Sequence, residues 1–121
     1  MSYLPDSNIL IHSAKPDLHL NAWVGNPETA VSAISQVEVL GFHALRPDAR
    51  DYFEATFELL QIIPVSAEII EAAVRFGHLY RLRAADAIIA ASAWLHGRIL
   101  VSEDGHFRRV LGLGVLNPLM R

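Results

Sequence analysis

A chain of 121 residues with 52% apolar content can build one compact unit, residues 1–121, around a full core, which argues against disorder. The absence of cysteine excludes disulfides and thiolate metal sites. Net charge is −3 and Lys15 is the only lysine among ten basic residues, so a broad electrostatic grip on nucleic acid is disfavoured, although an acidic protein can act on RNA where its carboxylates gather around metal ions and its arginines lie elsewhere.

Tyr3 and Leu4 precede Asp6, Ser7 and Asn8, after which the apolar run Ile9, Leu10, Ile11 begins. This pattern predicts a short strand ending at Asp6 and a helix starting over residues 6–8, because Ser and Asn side chains cap free backbone N–H groups. Residues 17–26 are ambiguous, with Pro16 and Gly25-Asn26-Pro27 as breakers. Residues 30–35 read as a second strand. Residues 36–45 read as a helix with Glu38 in its first turn, stopped by Arg46-Pro47. Residues 50–60 carry Phe53, Phe57 and Leu60 at helical spacing. Residues 61–65 form a short strand whose Pro64 suits a strand end or an edge. Ser66 caps a long helix through about Leu82, with an apolar face of Ile69, Ile70, Ala73, Val74 and Gly77. A further helix over 84–96 is closed by Gly97. A strand over 98–102, a short helix over 106–111 and a last strand over 114–116 complete the chain before Pro118. Strands alternating with helices predict an α/β fold with a mainly parallel sheet.

No stretch approaches the roughly 20 apolar residues of a membrane span, and the first residues lack the basic and apolar regions of a signal peptide, so a cytoplasmic protein without membrane contact is expected. Apolar residues beyond what a monomer buries point to a partner or a dimer.

The acids fall in a pattern. Asp6 follows the first strand, Glu38 the second, and Glu103 and Asp104 the strand over 98–102. Ligands of open α/β sheets bind outside the carboxyl ends of the strands, so these positions face one edge. Asp86 opens a helix that is otherwise almost wholly apolar or small, which predicts a half-buried carboxylate. Each acid alone reads equally well as an ordinary helix-start residue. Jointly they place like charges close together, and a divalent cation with all-oxygen ligands, Mg²⁺ or Mn²⁺, relieves the repulsion. Other α/β chemistries lack their residues: there is no P-loop, no dinucleotide glycine motif, no nucleophile elbow and no lysine late in the chain to hold a phosphoryl group. Metal-assisted hydrolysis remains.

The segments 4–11 (LPDSNILI), 32–41 (SAISQVEVLG), 85–91 (ADAIIAA) and 100–107 (LVSEDGHF) resemble, in order, the four motifs of PIN-domain ribonucleases, and the tail 110–115 also fits. Length and organisation are most similar to VapC-type toxins of toxin–antitoxin pairs. The resemblance implies a PIN-like fold of about five mainly parallel strands flanked by helices, Mg²⁺- or Mn²⁺-dependent endoribonuclease activity, a homodimer, and a small VapB-like antitoxin that binds over the active site. It implies Asp6, Glu38, Asp86 and Asp104 as the catalytic, metal-holding acids. Two departures stand out: Pro5 replaces an apolar strand residue, and Glu103 adjoins Asp104, which matches the register better.

Around these acids, Ser7, Asn8, Ser102 and Glu103 are candidates to orient ligands or waters, with helix caps and strand-end hydroxyls as the plain alternative. Arg81, Arg83, Arg108 and Arg109 are candidates for RNA phosphate contacts, or else solvated helix ends. His106 adjoins the acids but reads as a surface or helix-start residue. Trp23 and Trp94 can stack on bases, though Trp94 on its apolar helix reads as packing. The rival functions are a non-catalytic PIN-fold binding module and a structure-specific DNA nuclease.

Overall fold

A computed structural model describes residues 1–15 and 20–119. In chain order these form β1 (Tyr3–Pro5), α1 (Ser7–His12), α2 (Asn21–Val24), β2 (Ala30–Ser32), α3 (Ala33–Leu40), α4 (Pro47–Leu59), β3 (Gln61–Ile63), α5 (Ala67–Tyr80), α6 (Ala84–Leu95), β4 (Ile99–Val101), a 3-10 helix (Gly105–Arg109) and β5 (Val115–Leu116).

β1, β4 and β5 form one parallel ribbon and β2 and β3 another. A parallel bridge between Tyr3 and Thr29 joins them, and the Tyr3 N–H donates to Glu28 O at 2.9 Å. The Arg98 guanidinium braces the seam, with Nη1 donating to the carbonyls of Tyr3 at 3.2 Å and Glu28 at 3.0 Å. The spatial order is therefore β3-β2-β1-β4-β5, the expected mainly parallel α/β sheet of about five strands. The chain builds outward from β1 to β3, then crosses to the other side of β1 to lay down β4 and β5. The order reverses between β1 and β4, the place at whose carboxyl edge open α/β sheets bind ligands.

Both faces of the sheet are covered. On one, Leu4, Ala30 and Leu100 pack with Ile69 and Phe76 of α5 and Ala87 and Ile89 of α6. On the other, Val31 packs with Leu10, Val39, Phe53 and Phe57 from α1, α3 and α4. Burial on both faces explains why the strands read as short apolar runs rather than as alternating ones. Among the described residues no helix is long and apolar enough to cross a membrane.

Several boundaries differ from the sequence expectation, each for a local reason. The strand expected over 30–35 ends at Ser32, whose Oγ accepts from the Ile34 N–H at 3.2 Å and starts α3 there. Glu38 therefore lies in the second turn, and α3 ends at Leu40 instead of reaching residue 45. Pro47 begins α4 rather than ending α3, since proline suits the first helical turn, where its missing N–H costs nothing. Pro64 ends β3 at Ile63. α5 stops at Tyr80 because Arg81 takes a left-handed backbone, φ 56°. Of the ambiguous stretch 17–26, residues 17–19 lie outside the described residues and α2 occupies the middle of the rest.

Candidate active site

Asp6 is set by the β1–α1 corner. It is 4% exposed, its Oδ1 caps α1 by accepting from the Ile9 N–H at 3.0 Å, and its Oδ2 accepts from Ser102 Oγ at 2.5 Å. Ser102 leaves β4 and also accepts the Asp104 N–H at 2.9 Å, so one hydroxyl ties together the exits of β1 and β4. Burial pushes the Asp6 carboxyl above its ordinary pKa. The hydrogen bonds from Ser102 and Ile9 oppose this, and the charges of Asp86 and Asp104 add to it.

Glu38 reaches the same edge from α3. Ser7 Oγ donates to Glu38 Oε1 at 2.6 Å and lies 3.0 Å from Ser35 Oγ. Ser7 is thus both a first-turn residue of α1 and a clamp on the carboxylate. Ser35, one helical turn before Glu38, escapes sequence reasoning, although the i, i+3 spacing on α3 is the signal that finds it.

Asp86 sits in the first turn of α6, half-buried as expected. Burial raises its pKa first, then the charges of Glu38 and Asp104; Arg83 and His106 lower it. Asp104 caps the 3-10 helix through its Oδ1, which accepts from the His106 N–H at 2.9 Å and lies 2.7 Å from His106 Nδ1. His106 is largely exposed, as expected, yet it stands at the cleft against this acid.

A cleft of about 440 Å³ is lined by Glu38, Asp86 and Asp104, by Arg81, Arg83 and Arg109, and by Asn8 and His106. A hollow of about 250 Å³ adjoins it, lined by Asp6, Asn8, His12, Glu103 and Asp104. Three expected acids thus share the cleft and Asp6 lines the adjoining hollow. Two of the expected site residues stand outside this cleft. Arg108 does not line the cleft with Arg81, Arg83 and Arg109, because neighbouring residues on a 3-10 helix point about 120° apart, and Arg109 takes the inward direction. Glu103 turns from the cleft toward α1, where its Oε1 lies 3.0 Å from His12 Nδ1. Neither tryptophan lines the cleft: Trp23 packs edge-on against Tyr3 and Trp94 against Phe76.

Among the described residues no three His, Asp or Glu side chains stand close enough to close a metal site by themselves. The donor chemistry nonetheless fits a hard cation. Mg²⁺ keeps several waters and needs only one or two carboxylates from the protein. Here carboxylates on three separate elements face a water-accessible cleft, and two acids of the group have pKa values raised partly by the others' charge.

A comparison with curated proteins returns no significant match. Among solved structures, the chain is similar to one described as a toxin–antitoxin complex from Klebsiella pneumoniae, at 32% identity, with TM-score 0.77 and coverage of 97% of this chain and 98% of that one. DNA-bound VapBC from Salmonella typhimurium shares the fold at 17% identity and TM-score 0.81, with 98% of each chain covered. VapBC2 from Rickettsia felis, bound to a promoter DNA fragment, does so at 19% identity and TM-score 0.79, covering 97% and 98%. The PIN domain profile matches residues 3–113, and the chain belongs to the PIN domain family.

Proposed function

We propose that this chain is a Mg²⁺- or Mn²⁺-dependent endoribonuclease, acting in the cytoplasm as the toxin of a toxin–antitoxin pair, with residues 1–121 working as one PIN-like unit. The observation that carries the reading is that one cleft is lined by three carboxylates, Glu38, Asp86 and Asp104, together with three arginines, Arg81, Arg83 and Arg109. Cations and phosphates are the two halves of a nucleic-acid hydrolysis site, and this lining has groups for each.

Glu38, Asp86 and Asp104, with Asp6 in the adjoining hollow, would hold the cation directly or through water. When bound, the cation lowers the pKa of a water and offsets charge on the scissile phosphate. The protein's own groups orient the acids. Ser7 directs the Glu38 carboxylate, and Ser102 fixes Asp6 against the backbone of Asp104. Asn8, between the two hollows, is placed to orient water. The cleft arginines, Arg81, Arg83 and Arg109, would hold the RNA backbone beside the acids.

An antitoxin partner is supported by the relative that is 32% identical and described as a toxin–antitoxin complex. A homodimer is supported by large apolar residues left on the surface, among them Val74 at 67%, Leu79 at 65% and Leu111 at 80% exposure.

The test is incubation of purified wild-type protein with total cellular RNA and defined single-stranded RNAs. Cleavage is expected with Mg²⁺ or Mn²⁺, to stop with EDTA, and to vanish in Asp86→Ala, while expression of the wild type alone slows growth. RNA binding without cleavage in either metal would make the protein a binding module, and preferential cutting of branched DNA a structure-specific nuclease.

A further inference from the structure

The loop leaving β4 carries two adjacent acids, and only Asp104 faces the main cleft. The structure holds its neighbour back. His12, the last residue of α1, lies 91 positions earlier in the chain, and its Nδ1 stands 3.0 Å from Glu103 Oε1. A carboxylate only accepts hydrogen bonds, so Nδ1 carries the hydrogen and donates. Both partners are about two-thirds covered, with side-chain exposures of 31% and 35%. Glu103 nonetheless lines the smaller hollow with Asp6, Asn8 and Asp104, and that hollow shares Asn8 and Asp104 with the main cleft. A released Glu103 therefore stands within a side chain's reach of the acids beside it.

We infer that His12 is a positioning residue that keeps Glu103 out of the acid cluster, leaving Asp104 as the one carboxylate that the β4 loop presents. The inference rests on the proposed metal-dependent cleavage. The loop is pinned to α1 at both ends of that helix: Ser102 binds Asp6 at its start and Glu103 binds His12 at its finish. The first contact sets where the loop lies. The second decides which acid turns inward. Without it, a second negative charge joins the cluster, where it competes with Asp104 for the cation and repels the phosphate.

The prediction separates this role from a structural tether. His12→Ala should lower RNA cleavage by about five- to tenfold, the effect of one misplaced charge at the cluster's edge. It should also tighten Mn²⁺ binding, read as a larger rise of the thermal midpoint at fixed Mn²⁺. Glu103→Ala alone should change neither property by more than about twofold, because the charge is already withdrawn. The double variant His12→Ala/Glu103→Ala should return both readings to the wild-type range. His12→Asn, whose amide nitrogen sits where Nδ1 does, should behave like the wild type.

A tether that matters only for loop structure gives another pattern: Glu103→Ala falls as far as His12→Ala and the double variant recovers nothing. That result would overturn the inference, as would a His12→Ala protein with unaltered cleavage and Mn²⁺ response. A wild-type protein that neither cleaves RNA nor responds to Mn²⁺ would overturn the proposed function itself, and this inference with it. The wild-type baseline therefore tells the two failures apart.

Discussion

Asp6 and Asp86 both stand at the start of a helix, and burial raises the pKa of both, yet the molecule holds them in opposite ways. Asp6 has both carboxylate oxygens engaged, one by the backbone of α1 and one by Ser102. Asp86 has no hydrogen bond to its carboxylate among the described residues, and its surroundings are charges: Glu38 and Asp104 against it, Arg83 and His106 in its favour. Asp6 is part of the joint that fixes the exits of β1 and β4. Asp86 is a half-buried carboxylate facing two like charges, which disfavours its ionised form until an opposing charge is near.

The largest expected effect comes from truncating each acid. Both Asp6→Ala and Asp86→Ala should reduce RNA cleavage by about two to three orders of magnitude, since each removes charge that positions the reaction. Metal-free stability should then part them. Asp6→Ala loses a helix cap, worth about 1 kcal/mol, and leaves the buried Ser102 hydroxyl without its acceptor, about 1–2 kcal/mol more. Asp86→Ala should leave stability equal or raised, because it relieves repulsion. Urea unfolding without metal reads the difference, and equal losses in both variants would break the comparison.

The pH dependence sharpens it. A carboxyl whose pKa is higher in the folded chain binds its proton more tightly there than in the unfolded chain. The resulting stability is full below the unfolded pKa and is lost as pH rises through the raised folded value. Metal-free protein should therefore lose stability from this source as pH climbs out of the ordinary carboxylate range. Asp86→Asn should flatten part of that decline, and saturating Mn²⁺ at neutral pH should restore midpoint in the wild type but not in the variant. A metal-free unfolding profile identical in wild type and Asp86→Asn would show that the charges around Asp86 are already neutralised.

The smallest effect belongs to the cleft arginines. Arg81→Gln and Arg109→Gln should each raise KM for RNA a few-fold and reduce the salt dependence of binding by about 0.7 in log–log slope, as expected for one lost single-strand phosphate contact. Arg108→Gln, outside the cleft, should move the slope less. Equal slopes in all three would remove the distinction between cleft and surface.

The four acids are legible in the sequence because each follows a local signal that spans a few residues: a strand end, a cap or the opening of an apolar helix. The α/β order is legible for the same reason, as hydrophobic period and breakers act over one element at a time. Even these signals compete. Ser32 can continue a strand or cap a helix, and its hydrogen bond to the Ile34 N–H decides for the helix, which moves Glu38 by a turn.

Other features are set by contacts between distant segments. Strand order depends on which side of β1 the chain crosses to after β3, and no window of residues encodes that. Glu103 and Asp104 are equivalent as letters; the tertiary structure separates them because His12 lies against one and the 3-10 helix against the other. Ser35 joins the site only once α1 brings Ser7 to α3, and Arg109 parts from Arg108 only once their helix docks. Periodicity and capping belong to the local backbone and survive in the sequence. The direction of a side chain belongs to its neighbours, which packing alone supplies.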